Sequence, residues 1–215
     1  MPIEFDLNTF ETLKDKKWML GNNILYQMCS DFPNHTNPEE IRAKIWLIGR
    51  SYAASIERRT KKKQINDDFY DYVVNKFVIF NKDSRFDERL NQLRSKEFNK
   101  ETLKDILRLH HELTKFFYKL TGKEKRSLAS KYLHFHAQIF PIYDSRAKDS
   151  LNEIVKIKTP KLIGDKYYSK FCYKILALYN LIKEKSGRDP TLREIDTYLL
   201  KVANSRLNKK QGWEK

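Results

Sequence analysis

The residues that could do chemistry in this chain lie in two neighbouring stretches, Leu120-Thr-Gly-Lys-Glu-Lys-Arg-Ser-Leu-Ala129 and Phe140-Pro-Ile-Tyr-Asp144-Ser-Arg-Ala147. The first sets a short turn at Gly122 among four basic residues, Lys123, Lys125, Arg126 and Lys131, within the ten positions from Gly122 to Lys131. The second puts a single acid, Asp144, where a helix is expected to begin. A glycine turn presents bare backbone amides, and lysine and arginine supply cations, so the first stretch suits the phosphates of a polyanion. A carboxylate close by would then be aimed at that polyanion.

The elements that must position these residues read as helices nearly everywhere. Asn37-Pro38-Glu39-Glu40 supplies an N-cap, a proline at the first helical position and an early acid. The helix it opens is expected to run through Ile45, Ile48, Tyr52 and Ile56 to about Arg59. Asn99 caps a long helix from about Lys100 to Leu120, with Leu103, Ile106, Leu107, Leu113 and Phe117 on its buried side and Gly122 just beyond its end. A further amphipathic helix spans Tyr168 to Lys185, and Asp189-Pro190 repeats the cap-and-proline start before Leu192. Phe77-Val-Ile-Phe80 is the one segment that could be taken for a strand. The expected fold is all-α, a single helical unit over residues 1–215 or two lobes with a soft boundary in the polar stretch 81–99.

Composition bounds the partner. Forty-three Lys and Arg against twenty-eight Asp and Glu leave a net charge of +15 over 215 residues, which suits a phosphate backbone or an anionic surface. No apolar run approaches the roughly 18 residues that span a bilayer, and no secretory signal opens the chain, so a cytoplasmic protein without a membrane partner is expected. Cys29 and Cys172 stand alone and read as reduced packing residues. His110-His111 and His134-Phe-His136 are spaced one and two apart, whereas helical metal ligands sit three or four apart, so no metal is expected. Basic runs at Arg58 to Lys63, Lys123 to Lys131 and Arg206 to Lys210 favour contacts to a nucleic-acid backbone.

Leu120, Gly122, Ser127, the apolar helix from Leu128 to Phe135 and Asp144 together resemble the helix-hairpin-helix DNA glycosylase superfamily, with the hairpin motif over residues 103–136. The family motif reads Leu-Pro-Gly-Val-Gly, two residues, Thr-Ala, then a helix and a catalytic Asp. In its endonuclease III branch that Asp follows the first Leu by 24 positions, the spacing of Leu120 and Asp144 here. Thr121 replaces the proline, Glu124 the second glycine, and the alanine arrives one position late at Ala129. The resemblance implies a two-lobed helical fold, double-stranded DNA carrying a damaged or modified base as partner, and Asp144 as the catalytic carboxylate. It also implies backbone contacts from Gly122, Lys123, Lys125, Arg126, Ser127, Lys131 and Arg146.

Breaking an N-glycosidic bond builds positive charge on the sugar, which a nearby carboxylate stabilises while it orients the attacking water. Bifunctional relatives place a lysine before the motif Thr; here Ser127 holds the Thr position and Arg126 the lysine position. Arginine keeps its proton and forms no Schiff base, so a monofunctional, hydrolytic enzyme is expected, with Lys125 and Lys131 as the lysines that would serve if the alignment slipped. No cluster-binding cysteine pattern is present, so no cofactor is implied. An extruded base needs aromatic walls and polar readers: Tyr52, Arg50 and Tyr132 foremost, then Asn22, Asn23, Tyr26, Trp46, Glu57 and His136. Compact relatives that remove hypermodified pyrimidines, such as glucosylated hydroxymethylcytosine in phage DNA, suggest a defence role. The alternative is a non-catalytic helical nucleic-acid-binding protein in which Asp144 only caps a helix.

Overall fold

The computed structural model describes residues 4–13, 18–60 and 67–211. Over these residues the chain is all-helical, without a strand: α1 (Leu7–Glu11), α2 (Met19–Asp31), α3 (Pro38–Ser51), α4 (Asp67–Ser84), α5 (Phe86–Arg94), α6 (Lys100–Thr121), α7 (Arg126–His136), α8 (Ser145–Ile154), α9 (Lys166–Ser186) and α10 (Leu192–Gln211). They form two compact units. A central unit spans Lys17–Phe140, and a terminal unit joins Met1–Lys16 to Pro141–Lys215.

The caps explain most helix starts. The Asn37 side chain accepts from the Glu39 amide at 3.0 Å with Pro38 in the first turn. Asn99 and Thr102 form a reciprocal capping box at the start of α6, and Gly122 closes that helix in the left-handed region at φ +66°. Asp165 accepts from the amides of Tyr167 and Tyr168 to start α9. At α10 the cap differs from the expected Asp189-Pro190. Thr191 and Glu194 exchange amide bonds of 2.7 and 3.1 Å, because the Asp189 carboxylate is already held by Lys183 at 2.7 Å and Tyr179 at 3.0 Å.

The central unit departs from the sequence expectation in three places. α3 stops at Ser51 rather than near Arg59: the Ala54 amide returns to the Gly49 carbonyl at 2.8 Å, and Ala53 takes φ +48°. Only a glycine admits that fold-back, since a Cβ on Gly49 would lie 2.9 Å from the Ser55 Cα. Phe77 to Phe80 belongs to α4, where Phe77 packs edge-on against Phe86 and Phe116. The stretch 81–99 is no boundary, for it carries α5, whose Phe86, Leu90 and Leu93 are buried. The division between units falls after residues 16 and 140 instead.

In the terminal unit α8 packs against α9 and, most extensively, α10, with α1 laid on α9 and α10. Tyr198 of α10 anchors the N-terminal segment, accepting from the Asp6 amide and meeting Phe5 and Phe10 edge-on or tilted. No described helix is long and apolar enough to cross a membrane. Of the expected basic runs, residues 61–63 and the side chains of Lys209 and Lys210 lie outside the described residues.

Candidate functional site

The hairpin joining α6 to α7 is stitched by one hydroxyl. Thr121 donates to the Phe117 carbonyl at 2.8 Å and accepts from the Lys123 amide at 3.2 Å, while the Gly122 amide closes on Tyr118 at 2.8 Å. α7 then starts from Lys125 with no side-chain cap, which leaves its first amides to other acceptors. Glu124, standing where the family has glycine, is ion-paired to Arg126 at 2.6 Å. Its negative charge is thereby offset, and Arg126 is committed to it.

Two of the expected phosphate contacts turn inward. Lys125 is buried, its ammonium donates to the Arg58 carbonyl, and loss of hydration brings its pKa down to about 8. Lys131 is 2% exposed and donates to Ser127 Oγ at 2.6 Å, 5.7 Å from the centre of the Tyr52 ring. Both lysines occupy inner positions of α7 or its cap, so their stems run along the packed side of the helix rather than into solvent. Lys123 alone of the three projects outward.

Around Lys131 the central unit gathers an aromatic and polar cluster from α2, α7 and the end of α3. Tyr52 donates to Asn22 Oδ1 at 2.7 Å and meets Phe135 edge-on. Tyr26 lies on Phe135 at 4.7 Å, and its hydroxyl reaches His134 Nε2 at 2.6 Å. His134 Nδ1 faces the Phe140 carbonyl at 2.8 Å. That carbonyl can only accept, so Nδ1 carries the proton and Nε2 accepts from Tyr26. Asn22, not the exposed Asn23, is the amide in this cluster.

The remaining expected base readers separate. Tyr132 and His136 are buried, the first with no exposed surface, so neither lines an open pocket. Tyr132 donates to His35 Nε2 at 2.8 Å, and His35 in turn donates through Nδ1 to Asp87. Asp87 also accepts from the His35 amide and from Asn81, each at 2.8 Å. Burial brings the His35 pKa down to about 4 and pushes His136 well below the usual histidine range. His136 sits 4.8 Å from the His35 ring with both nitrogens lacking a hydrogen-bond partner. This network, with Lys44 donating to the Phe32 and Asn34 carbonyls, escaped the sequence reading. His35 lies in a polar loop, and nothing local links it to Asp87, 52 residues away.

Arg50 pairs with Glu57, which also accepts from Tyr70 at 2.7 Å. Trp46 lines an open depression of about 300 Å³ with Glu39, Arg42, Ala43 and Tyr70.

In the terminal unit, Asp144 caps α8. It accepts from the Arg146 amide at 2.9 Å, with the Arg146 Nε 3.6 Å from the same oxygen. The extended segment before it is pinned by the buried Tyr168, which donates to the Pro141 carbonyl at 2.9 Å. Asp144 remains about one quarter exposed and Arg146 about one half, at 24% and 53%. Such a carboxylate is fixed in direction by a helix start yet open to an approaching ligand.

Comparison of the chain with family models, curated proteins and solved structures returned no match.

Proposed function

We propose that the chain is a monofunctional DNA glycosylase that hydrolyses the N-glycosidic bond of a modified or damaged base in double-stranded DNA, with Asp144 as its catalytic carboxylate. One observation carries this reading. A hairpin of two helices closed by a left-handed glycine, Gly122, is followed 24 residues after Leu120 by an acid fixed at a helix start. The net charge of +15 supports the nucleic-acid partner.

In this reading Gly122, Lys123 and the uncapped start of α7 engage the DNA backbone. Tyr52, Tyr26 and Asn22 carry the aromatic and amide chemistry that reading an extruded base requires. Asp144 stabilises the oxocarbenium-like sugar as the bond to the base breaks, and directs a water to the anomeric carbon. The base leaves with the bonding electrons and a proton, and an abasic site remains. Arg126, at the lysine position and paired with Glu124, forms no Schiff base, so strand cleavage does not follow. A hypermodified pyrimidine such as glucosylated hydroxymethylcytosine is the first substrate to try, in keeping with a role against phage.

The same cap geometry fits a second reading, a helical nucleic-acid-binding protein without chemistry, since Asp144 already serves α8. Abasic-site formation on modified and plain duplexes separates the two. The native chain is expected to produce abasic sites on a modified duplex, and Asp144→Asn to slow this by about 100-fold or more while still binding DNA. Binding by both proteins with no abasic sites on any base tried would leave only the second reading.

A further inference from the structure

We propose that the exposed Lys156 and Lys170, beside the buried Lys174 that Asn152 holds where α8 leads into α9, form a second phosphate-binding site for the DNA backbone, within the terminal unit. The site rests on the nucleic-acid partner of the proposed function and not on its excision chemistry.

Asn152 holds two ammonium groups at once. Its backbone carbonyl accepts from Lys156 at 2.7 Å, and its side-chain oxygen accepts from Lys174 at 2.7 Å. Lys170 stands one turn before Lys174 on α9, on the same face of the helix. Each ammonium has three donors, and a single asparagine meets only one from each of the two it binds.

Among the described residues, no carboxylate balances this group. Lys174 is buried, and its pKa is lowered first by loss of hydration and then by repulsion from Lys170 and Lys156, with no acid acting against them. The neighbouring acids are engaged elsewhere: Asp149 with Lys148 at 3.1 Å, Glu153 with Arg206 at 2.5 Å, and Asp165 with two amides at the start of α9. From Lys156 to Lys174 the chain carries six lysines against the single acid Asp165. Like charges held together in the folded state raise its energy until an anion joins them. A phosphodiester backbone supplies anions at the required density, and direct hydrogen bonds from lysines to its oxygens release condensed counterions.

The test uses the full chain carrying Asp144→Asn, so that excision does not alter the duplex, and measures affinity for a plain DNA duplex against salt concentration. Neutralising all three as Lys156→Gln, Lys170→Gln and Lys174→Gln is expected to flatten the slope of log affinity against log salt by about 1.8, the share of the two exposed lysines, since the Lys174 ammonium is buried on Asn152. Lys174 is buried, so the pair Lys156→Gln and Lys170→Gln, both exposed, provides an independent reading, with an expected flattening of about 1.8. The matched control removes three exposed charges from the central unit, Lys82→Gln, Lys96→Gln and Lys100→Gln, and is expected to leave the slope nearly unchanged. An unchanged slope in the cluster variants overturns the proposal, as does an equal flattening in the control. So does loss of binding to phosphatidylserine vesicles with DNA binding intact, which would assign the cluster to a lipid surface. None of these outcomes bears on whether the native chain makes abasic sites.

Discussion

The two faces of α7 do opposite things with polar groups. Ser127, Lys131 and His134 recur at helical spacing along one face and meet partners that answer them: a hydroxyl for the ammonium, a tyrosine hydroxyl and a carbonyl for the two imidazole nitrogens. Tyr132 and His136, one turn apart on another face, enter a buried network with His35 and Asp87 in which neither ring nitrogen of His136 finds a hydrogen-bond partner. Lys131 and His134 are buried as deeply as the residues of the second face, but their polar groups are paired. The second ties the 32–37 loop to α5 and α7, with Arg94 donating to the carbonyls of His136 and Pro33 at 3.0 and 3.1 Å. One helix thus separates paired from unpaired buried polar groups, and the cost of burying the unpaired ones falls on the His136 face.

The sharpest break of this contrast is Asp87→Ala. It removes acceptors from the His35 ring, the His35 amide and Asn81 together, and is expected to lower stability to urea by roughly 3 kcal/mol. A loss under about 1 kcal/mol would show that the network is not structural.

Acid provides the second break. His35 and His136 both have folded pKa values below the ordinary 6.5, so between those values the unfolded chain binds more protons than the folded one. Stability is therefore complete above about pH 6.5 and falls as pH drops through it, by up to about 1.4 kcal/mol per pH unit for each histidine. For His35 the loss ends near pH 4, where the folded group also takes its proton. His136→Leu is expected to make the pH dependence of the urea midpoint between 6.5 and 4.5 shallower; an unaltered profile would clear His136 of any part in it.

Smaller effects probe the other face and its turn. Tyr26→Phe deletes the 2.6 Å bond to His134 and is expected to cost about 1.5 kcal/mol in thermal or urea unfolding. Gly122→Ala forces a side chain into the left-handed conformation at φ +66°, with an expected loss of about 1 kcal/mol. A neutral result there would mean that the turn can relax to another shape.

Helix starts and stops were legible at most local caps, though not at α10, where Thr191 and Glu194 cap in place of the expected Asp189. Asn37, Asn99, Gly122 and Asp144 each act on backbone within a few residues, so their roles could be read from neighbouring letters. The end of α3 was not legible, because apolar periodicity continues through Tyr52 and Ile56 while the chain folds back over Gly49. The polar composition of 81–99 was misleading in the same way: buried Phe86, Leu90 and Leu93 lie among charged residues that face outward. Of the candidate site, Asp144 and the hairpin were found from spacing, and Tyr52 and Tyr26 from residue type. Their pairing with Asn22 and His134 joins residues 30 and 108 apart in the chain, and no local pattern encodes it.

By itself the sequence determined the helical class, the caps, the basic charge and the position of one acid after a glycine turn, because each depends on side chains acting on nearby backbone or simply on their sum. Only the tertiary structure decided which lysines face solvent. It turned Lys125 and Lys131 inward and held Lys156 and Lys174 on one asparagine. The reason is that where a long charged side chain ends depends on what its helix packs against, and that contact is made by residues far along the chain.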